Sequence, residues 1–155
     1  MTTLKKYSGL IGSILICGAA GAVGAFFKPG PWYEIIAKPS YTPPAVIFPI
    51  IWPILYLCMA VAAWMIWKEW GFDGGRLPLK WFGVQLALNA AWSWIFFGRH
   101  AIGTALADII LLWIAILFTL LLFWTKNKWA GGLMAPYLLW ISFAIILNFS
   151  IWHLN

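Results

Sequence analysis

The sequence predicts an all-α integral membrane protein: a bundle of five transmembrane helices that forms a single domain over residues 1–155. The first observation behind this prediction is composition, since 64% of the residues are hydrophobic and only 9% are charged. A soluble domain is usually about a quarter charged. The second observation is that several charge-free stretches reach the length of about 20 residues that a membrane-spanning helix needs. The third is that none of them alternates apolar and polar residues as a barrel strand does. A soluble enzyme and a disulfide scaffold are therefore excluded.

Five apolar segments justify the five helices in chain order. Only the fourth contains a charged residue, Asp108. The first is rich in glycine and alanine between residues 18 and 25, which allows close helix approach. Pro49 and Pro53 in the second segment and Pro136 in the fifth free backbone carbonyls and bend the helix axis. The predicted helices cover residues 7–27, 45–67, 81–98, 101–125 and 129–152.

The basic residues predict the orientation of the bundle. With five spans, one side of the membrane receives seven of them: Lys5, Lys6, Lys68, Arg76, Lys80, Lys126 and Lys128. The other side receives Lys28, Lys38 and Arg99. Because lysine and arginine accumulate in cytoplasmic loops, the N-terminus is predicted to be cytoplasmic and the C-terminus to lie outside. The bases lie between apolar segments rather than in a patch, so no nucleic-acid partner is expected, and the lipid bilayer is.

The connection over residues 28–44 is the longest on the outer side, and we call it the lid. It contains five prolines, which predict a stiff, locally extended segment. It also carries Trp32, Tyr33 and Tyr41. Any one of these rings would be explained as a membrane-interface anchor, but three on one stiff segment favour a cover over a binding site.

Polar residues inside apolar helices are costly and are therefore functional candidates. At helical spacing, Asn89 and Trp92 share one face of the third span, Trp140 and Ala144 share one face of the fifth, and Trp52 lies on the second. Most of these positions fall in the half of the bundle beneath the lid, which predicts an aromatic-walled cavity there. The alternative is that the polar groups only join helices. We favour the ligand interpretation for Trp52, Trp140 and Asn89, and the structural one for Asp108 and Asn148. The polar residues inside the spans are Gln85, Asn89, Ser93, Asp108, Ser142, Asn148 and Ser150.

Several kinds of chemistry have no residues to support them. Neither His100 nor His153 has a second nitrogen or thiolate ligand nearby in the sequence, so no metal site is predicted. Cys17 and Cys58 lie in apolar runs and are interpreted as small buried hydrophobic residues. There is no phosphate-binding loop and no nucleophile motif, so no catalytic residue and no required cofactor are predicted.

The ordered motifs of the chain closely resemble the TspO/MBR family of tryptophan-rich sensory proteins, which is related to the mitochondrial translocator protein. They occur in every span except the first and appear in the order of that family. The matching residues are Trp32-Tyr33, Lys38-Pro39, Pro43-Pro44, Pro49-x-x-Trp52-x-x-x-Tyr56, Gln85-Leu86-x-Leu88-Asn89-x-x-Trp92-Ser93, Phe97-Gly98, Ala105-x-x-Asp108 and Pro136-Tyr137-x-x-Trp140-x-x-Phe143-Ala144-x-x-x-Asn148.

The resemblance implies a five-helix bundle in a bacterial cell membrane, commonly a homodimer. It also implies a receptor or sensor whose pocket beneath the lid binds protoporphyrin IX, another tetrapyrrole or similar planar apolar ligands. The implied contacts are Trp32 and Tyr33 on the lid and Trp52, Asn89, Trp92, Trp140 and Ala144 on the wall. At the mouth, Lys28 or Lys38 is expected to attract ligand carboxylates. No base follows Tyr137 where mammalian members carry one in a cholesterol motif, so sterol binding is not expected.

Two other functions and two dimer surfaces remain open. The first alternative is light-dependent porphyrin degradation, in which Trp32 and Trp140 would take part. The second is transport of porphyrin or another small molecule. The dimer surface is either the small-residue face of the first helix or the face of the third that carries Ala87, Ala90 and Ala91.

Overall fold

The computed structural model describes the backbone of residues 3–155 and the side chains from residue 7 onward. The described chain is helical with no strand. A 3₁₀ turn over Ala45–Ile47 leads into the third helix, and a π-helical turn over Trp94–Gly98 extends the fourth. The α-helices are α1 (Thr3–Phe26), α2 (Pro31–Ile35), α3 (Phe48–Gly74), α4 (Arg76–Ser93), α5 (Ile102–Lys126) and α6 (Lys128–Leu154).

The five long helices form a closed ring. In ring order they are α1, α3, α6, α5 and α4, and α4 packs against α1 to complete the circle. The α3 and α4 helices also touch across the ring. One end of the bundle, which we call the lid end, holds the end of α1, the start of α3, the end of the π turn, the start of α5 and the end of α6.

The two ends of the bundle are packed differently. Toward the end opposite the lid, large side chains fill the ring, and Ile66, Phe123 and Met134 are completely buried. The α5 and α6 helices approach most closely there, because a Cβ atom on Gly131 would lie 2.8 Å from the backbone of Trp124. A second buried cluster at the lid end contains Phe96 and packs against Trp32 of the lid. Because large side chains fill the half of the ring opposite the lid, we expect a ligand-sized cavity at the lid end.

Four helical segments of the described chain are long and apolar enough to cross a membrane: Tyr7–Phe26, Ala45–Gly74, Ile102–Lys126 and Lys128–Leu154. The fifth predicted span, residues 81–98, corresponds to most of α4 and the π turn. It does not meet the same measure because polar residues of α4, among them Arg76, Lys80, Gln85 and Asn89, lower its mean hydropathy, although its 18 residues are long enough. The chain is thus an all-helical integral membrane protein with four such segments.

The connection predicted over residues 68–80 is wrong. The α3 helix continues to Gly74, and α4 begins at Arg76, which leaves Gly75 alone between them. The chain changes direction inside this stretch at Gly71, whose φ of 63° lies in the left-handed region that glycine adopts without strain. Charged residues suggested a loop here, but a single glycine kink lets helical hydrogen bonding resume on both sides.

The locally extended conformation predicted for the lid is wrong for one part of it. Residues Pro31–Ile35 form α2, with Pro31 in the first turn, where its missing N–H costs nothing. The Nζ of Lys38 then donates to the carbonyl oxygens of Tyr33 at 2.5 Å, Ile36 at 2.9 Å and Glu34 at 3.3 Å. This amine satisfies carbonyls at the end of a helix that would otherwise be too short to persist.

Candidate functional site: an aromatic cavity at the lid end

A cavity of about 1600 Å³ opens beneath the lid. Its wall comes mainly from α1, α3, α4, the π turn and α6, and the lid residue Tyr33 also lines it. The small residues of α1 make room on one side, since Gly18, Gly21 and Ala22 all face the cavity. A Cβ atom added to Gly21 would come within 2.9 Å of the Tyr56 ring, so glycine at this position lets α1 approach α3 closely.

Six of the seven residues predicted to contact a ligand line this one cavity: Tyr33, Trp52, Asn89, Trp92, Trp140 and Ala144. The seventh, Trp32, does not. Its ring stacks on His100 with centroids 4.2 Å apart and meets Phe96 edge-on at 5.7 Å. The sequence predicted no metal site at His100 and gave no pattern from which its stacking on Trp32 could be predicted. Trp32 thus attaches the lid to the corner between the π turn and α5.

Aromatic rings line two sides of the cavity. On the α3–α6 side, Trp52 lies 5.6 Å from Tyr56, and Phe48 meets Trp140 edge-on at 5.9 Å. On the α4 side, Trp92 stacks on Phe96 at 5.0 Å. Offset and edge-to-face pairs of this kind hold one another in fixed orientations. The walls therefore present flat, preformed apolar surfaces.

A hydrogen-bonded triad supports the wall: Tyr56 and Asn89 line the cavity, and Tyr137 is completely buried. The Tyr56 hydroxyl donates to Oδ1 of Asn89 at 2.6 Å, and Nδ2 of Asn89 donates to the hydroxyl oxygen of Tyr137 at 2.6 Å. The triad joins α3, α4 and α6. Tyr56 lies four positions after Trp52 and Tyr137 three positions before Trp140, which places each tyrosine on the same helical face as its tryptophan, but neither was among the predicted site residues. That shared face was the signal that could have found them.

Asn148 joins three helices in the way expected of a structural residue. Its Oδ1 accepts the indole N–H of Trp92 at 3.0 Å, and its Nδ2 donates to the carbonyl oxygen of Ile102 at 3.1 Å. The Trp92 indole is therefore fixed and has no donor left for a ligand. By contrast, the indole N–H groups of Trp52 and Trp140 make no hydrogen bond within the described part of the chain, so both are free to donate.

Two buried polar groups lie away from the cavity. Asp108 is 8% exposed and Gln85 is fully buried, and neither lines the cavity. Among the described residues, Oδ2 of Asp108 and Oε1 of Gln85 have no hydrogen-bond partner. Gln85 does donate from Nε2 to the sulfur of Met59 at 3.7 Å. Both side chains thus lie within the helix packing rather than at the ligand surface. Trp113 is also part of that packing, since its indole N–H donates to Oγ of Ser142 at 2.8 Å.

The mouth of the cavity carries three charged residues, Lys28, Glu34 and Lys38. The Lys38 amine is engaged by the carbonyls at the end of α2 and lies 4.8 Å from the centre of the Tyr33 ring. Lys28 and Glu34 are exposed. Burial raises the pKa of the Tyr33 hydroxyl above its usual value, so this group stays neutral near pH 7. Across the described side chains, no group of three or more histidine, cysteine, aspartate or glutamate residues could hold a metal ion.

The sequence model of the TspO/MBR family matches residues 13–153, which include every cavity-lining residue named above. The chain belongs to the TspO/MBR family. Within this family it is similar to the tryptophan-rich sensory protein of Cereibacter sphaeroides, at 37% identity over 139 residues, or 90% of this chain and 86% of that protein. It is also similar to the tryptophan-rich protein TspO of Chlorobaculum tepidum, at 41% identity over 144 residues, or 90% of this chain and 91% of that protein.

The chain is also similar in sequence to animal proteins. The translocator protein of Homo sapiens is 36% identical over 126 residues, or 80% of this chain and 75% of that protein. The lid and the cavity therefore belong to the part of the chain that this family shares, whereas Asn155, which contacts the lid, lies just beyond the matched residues.

Proposed function

We propose that this protein is a membrane receptor that holds protoporphyrin IX, or a similar planar apolar ligand, in the cavity beneath the lid. The observation that carries the proposal is the aromatic-walled cavity of about 1600 Å³. Pockets for drug-sized ligands are commonly about 300–1,000 Å³ and mostly apolar, so this one accommodates a larger ring system. The sensory role printed in the name of the Cereibacter relative supports the same conclusion.

The walls suit a flat ligand with hydrogen-bond acceptors. Rings on the α3–α6 side and the α4 side would stack against the two faces of a planar guest, each good pair contributing about 0.5–1.5 kcal/mol beyond burial. Trp52 and Trp140 offer free indole donors. Asn89 also lines the cavity, and each end of its amide already binds a tyrosine, which fixes its orientation before a ligand enters. One N–H and one oxygen lone pair of the amide are left for a ligand. No further cofactor is part of the proposal.

In the proposed membrane arrangement, α4 and the π turn form a fifth span, so that one domain crosses the bilayer five times. Residues 76–98 would extend about 34 Å at 1.5 Å per residue, enough to cross the hydrocarbon core. The N-terminus would face the cytoplasm, and the lid would lie outside, in a bacterial cell membrane. The predicted small-residue surface of α1 lines the cavity through Gly18, Gly21 and Ala22. A homodimer would therefore use another face of α1, where Ile11 is 58% exposed and Leu15 is 66% exposed, or the face of α4 that carries Ala87, Ala90 and Ala91.

The test is equilibrium binding of protoporphyrin IX to the detergent-solubilised protein in the dark. Saturable binding at micromolar concentration or tighter is expected, read from porphyrin fluorescence. The double variant Trp52→Ala/Trp140→Ala should raise the dissociation constant at least tenfold, because it removes both free donors and one wall. The matched control is Trp124→Ala, which removes a half-exposed indole at the opposite end of the bundle. Equal affinity of the double variant and the wild type would remove the assigned wall.

Light-dependent porphyrin degradation is a second candidate, favoured by the position of Trp140. An oxidisable indole at the cavity wall would touch a bound chromophore, whereas Trp32 lies outside the wall on His100. Illumination of the complex in air should then bleach the porphyrin more slowly in Trp140→Phe than in Trp32→Phe. Bleaching at the rate produced by free tryptophan would dismiss this activity.

A further inference from the structure

The lid is attached to the bundle at two places with different chemistry. The first attachment is aromatic and lies at the corner between α4 and α5. Trp32 stacks on His100, and Tyr33 meets Phe97 edge-on at 5.5 Å. Both rings pack against the cluster around Phe96, which is 2% exposed. Separating this attachment would expose several large rings to the surroundings.

The second attachment consists of hydrogen bonds to the end of α6. Asn155 forms a closed pair with the backbone of Ala37: its Oδ1 accepts the Ala37 N–H at 3.0 Å, and its Nδ2 donates to the Ala37 carbonyl oxygen at 3.0 Å. The same Nδ2 also donates to the carbonyl oxygen of Ile151 at 2.8 Å, which fixes the amide against its own helix. Nearby, the hydroxyls of Tyr41 and Ser150 share a hydrogen bond of 2.5 Å.

The segment between the two attachments is held together by internal hydrogen bonds. Lys38 joins the carbonyls of α2 and the residues just after it. Residues 31–38 are therefore internally tied, and Ala37 cannot leave Asn155 without rotating α2. Since Trp32 and Tyr33 hold the other end of this segment, the aromatic attachment acts as a pivot.

The two attachments differ in how easily they open. The bonds between Asn155 and Ala37 are exposed to solvent, and exposed hydrogen bonds exchange readily with water and contribute little net stability. The aromatic attachment buries apolar surface, which costs more to expose. The α6 side should therefore open first.

We propose that Asn155 is a positioning residue that latches the lid over the cavity. Release of its amide pair with Ala37 lets the lid swing about the contact between Trp32 and His100. The role in ligand entry rests on the proposed function, whereas the latch itself does not. Opening and closing of the lid then control how fast a ligand enters and leaves. Asn155 does not line the cavity, so its substitution removes no contact with the ligand and should leave the affinity nearly unchanged.

Hydrogen exchange of the full-length protein, followed by mass spectrometry, tests the latch without any ligand. Asn155→Ala should accelerate exchange in residues 36–42 roughly threefold to tenfold, the factor expected for losing one or two exposed hydrogen bonds. Tyr41→Phe, which breaks the second contact from the lid side, should act in the same direction. The matched control is Asn127→Ala. It removes a partly exposed asparagine that caps the other end of α6 and should leave exchange in the lid unchanged.

Binding kinetics of protoporphyrin IX in the dark provide the second readout. In Asn155→Ala, association and dissociation rates should both rise about threefold or more, with the dissociation constant within twofold of the wild type. A purely structural role would instead change affinity. Unchanged lid exchange in Asn155→Ala would overturn the proposal whatever Tyr41→Phe does, as would equal acceleration around Trp32. If the wild type binds no porphyrin, the proposed function fails while the exchange experiment still decides the latch.

Discussion

Asn89 shows how one side chain fixes the shape of the cavity wall. Its amide is shared between the hydroxyls of Tyr56 and Tyr137, and Tyr137 is completely buried. In an apolar interior, polar groups without partners are expensive, so the three side chains depend on one another. The orientation of the wall between α3, α4 and α6 is thus fixed before any ligand arrives.

Asn89→Leu should therefore destabilise the protein. The substitution keeps a similar volume but leaves both tyrosine hydroxyls without their partner, which costs about 2 kcal/mol of unfolding free energy. Thermal unfolding in detergent measures the effect as a lower midpoint. Thr125→Val is the control, since it removes only an exposed bond to the Leu122 carbonyl and should leave the midpoint nearly unchanged. Equal midpoints for Asn89→Leu and the wild type would show that the triad does not contribute.

The two lysines at the mouth should respond differently to substitution. Lys28→Gln removes an exposed charge with no assigned partner in the described chain and should weaken binding of protoporphyrin IX about twofold to fivefold, as for an exposed ion pair. The dimethyl ester of the same porphyrin has no carboxylate and should bind both proteins equally. A weaker affinity for the ester as well would show that Lys28 acts through packing.

Lys38→Gln should instead loosen α2. Its amine serves three carbonyl oxygens, so hydrogen exchange in residues 31–36 should rise, and binding of the acid and ester forms of the porphyrin should change by the same factor. A selective loss of the acid form would assign carboxylate recognition to Lys38 rather than to Lys28.

At the scale of elements, glycine decides where helices approach and where they turn. Gly71 provides the kink near the end of α3. Gly131 brings α6 against the backbone of Trp124. A Cβ atom on the adjacent Gly132 would instead meet the Trp124 side chain at an ordinary contact distance of 4.0 Å. The same residue type thus has different roles at neighbouring positions, depending on which face of α6 carries it.

Gly131→Ala should separate α5 from α6. The added methyl group would lie 2.8 Å from backbone atoms of Trp124, which cannot rotate away, and overlap of this kind costs about 1–3 kcal/mol. Gly132→Ala is the matched control. It should be neutral or slightly stabilising because alanine favours a helix by up to about 1 kcal/mol over glycine. Thermal midpoints of the two variants compare them directly, and equal values would contradict the close approach.

For the whole molecule, the ring of five helices explains why the aromatic cavity lies at the lid end. Large residues such as Phe123 and Met134 fill the end opposite the lid. At the lid end, glycines and alanines of α1 face the aromatic wall, and the lid rather than a side chain closes the space. The fully packed half supports the cavity, and a change there would alter stability more than binding.

The number of membrane crossings predicts where the chain ends lie. Five crossings place the two ends on opposite sides of the membrane, and four would place them on the same side. Since α4 closes the ring between α1 and α5, we expect opposite sides, with the N-terminus cytoplasmic. Reporter fusions at each end, active on only one side of the membrane, measure this. Two fusions active on the same side would contradict the five-span arrangement.

The sequence by itself determined the membrane class, the approximate positions of the long helices and the faces on which the aromatic and amide residues lie. Those follow from length, hydropathy and a period of 3.6 residues, which are local properties. It did not reveal that Trp32 stacks on His100 instead of lining the cavity, that the Asn89 amide is already bonded to two tyrosines, or that the Asn155 amide bonds to the lid at Ala37.

Only the tertiary structure decided these points, because each contact joins residues far apart in the chain. Ala37 and Asn155 are separated by 118 positions, and no local pattern specifies which distant backbone group an amide will meet. The same holds for α2, whose short helix depends on an amine that folds back from Lys38. Local physics set the helices and their faces; the packing of five helices in a ring selected the partners.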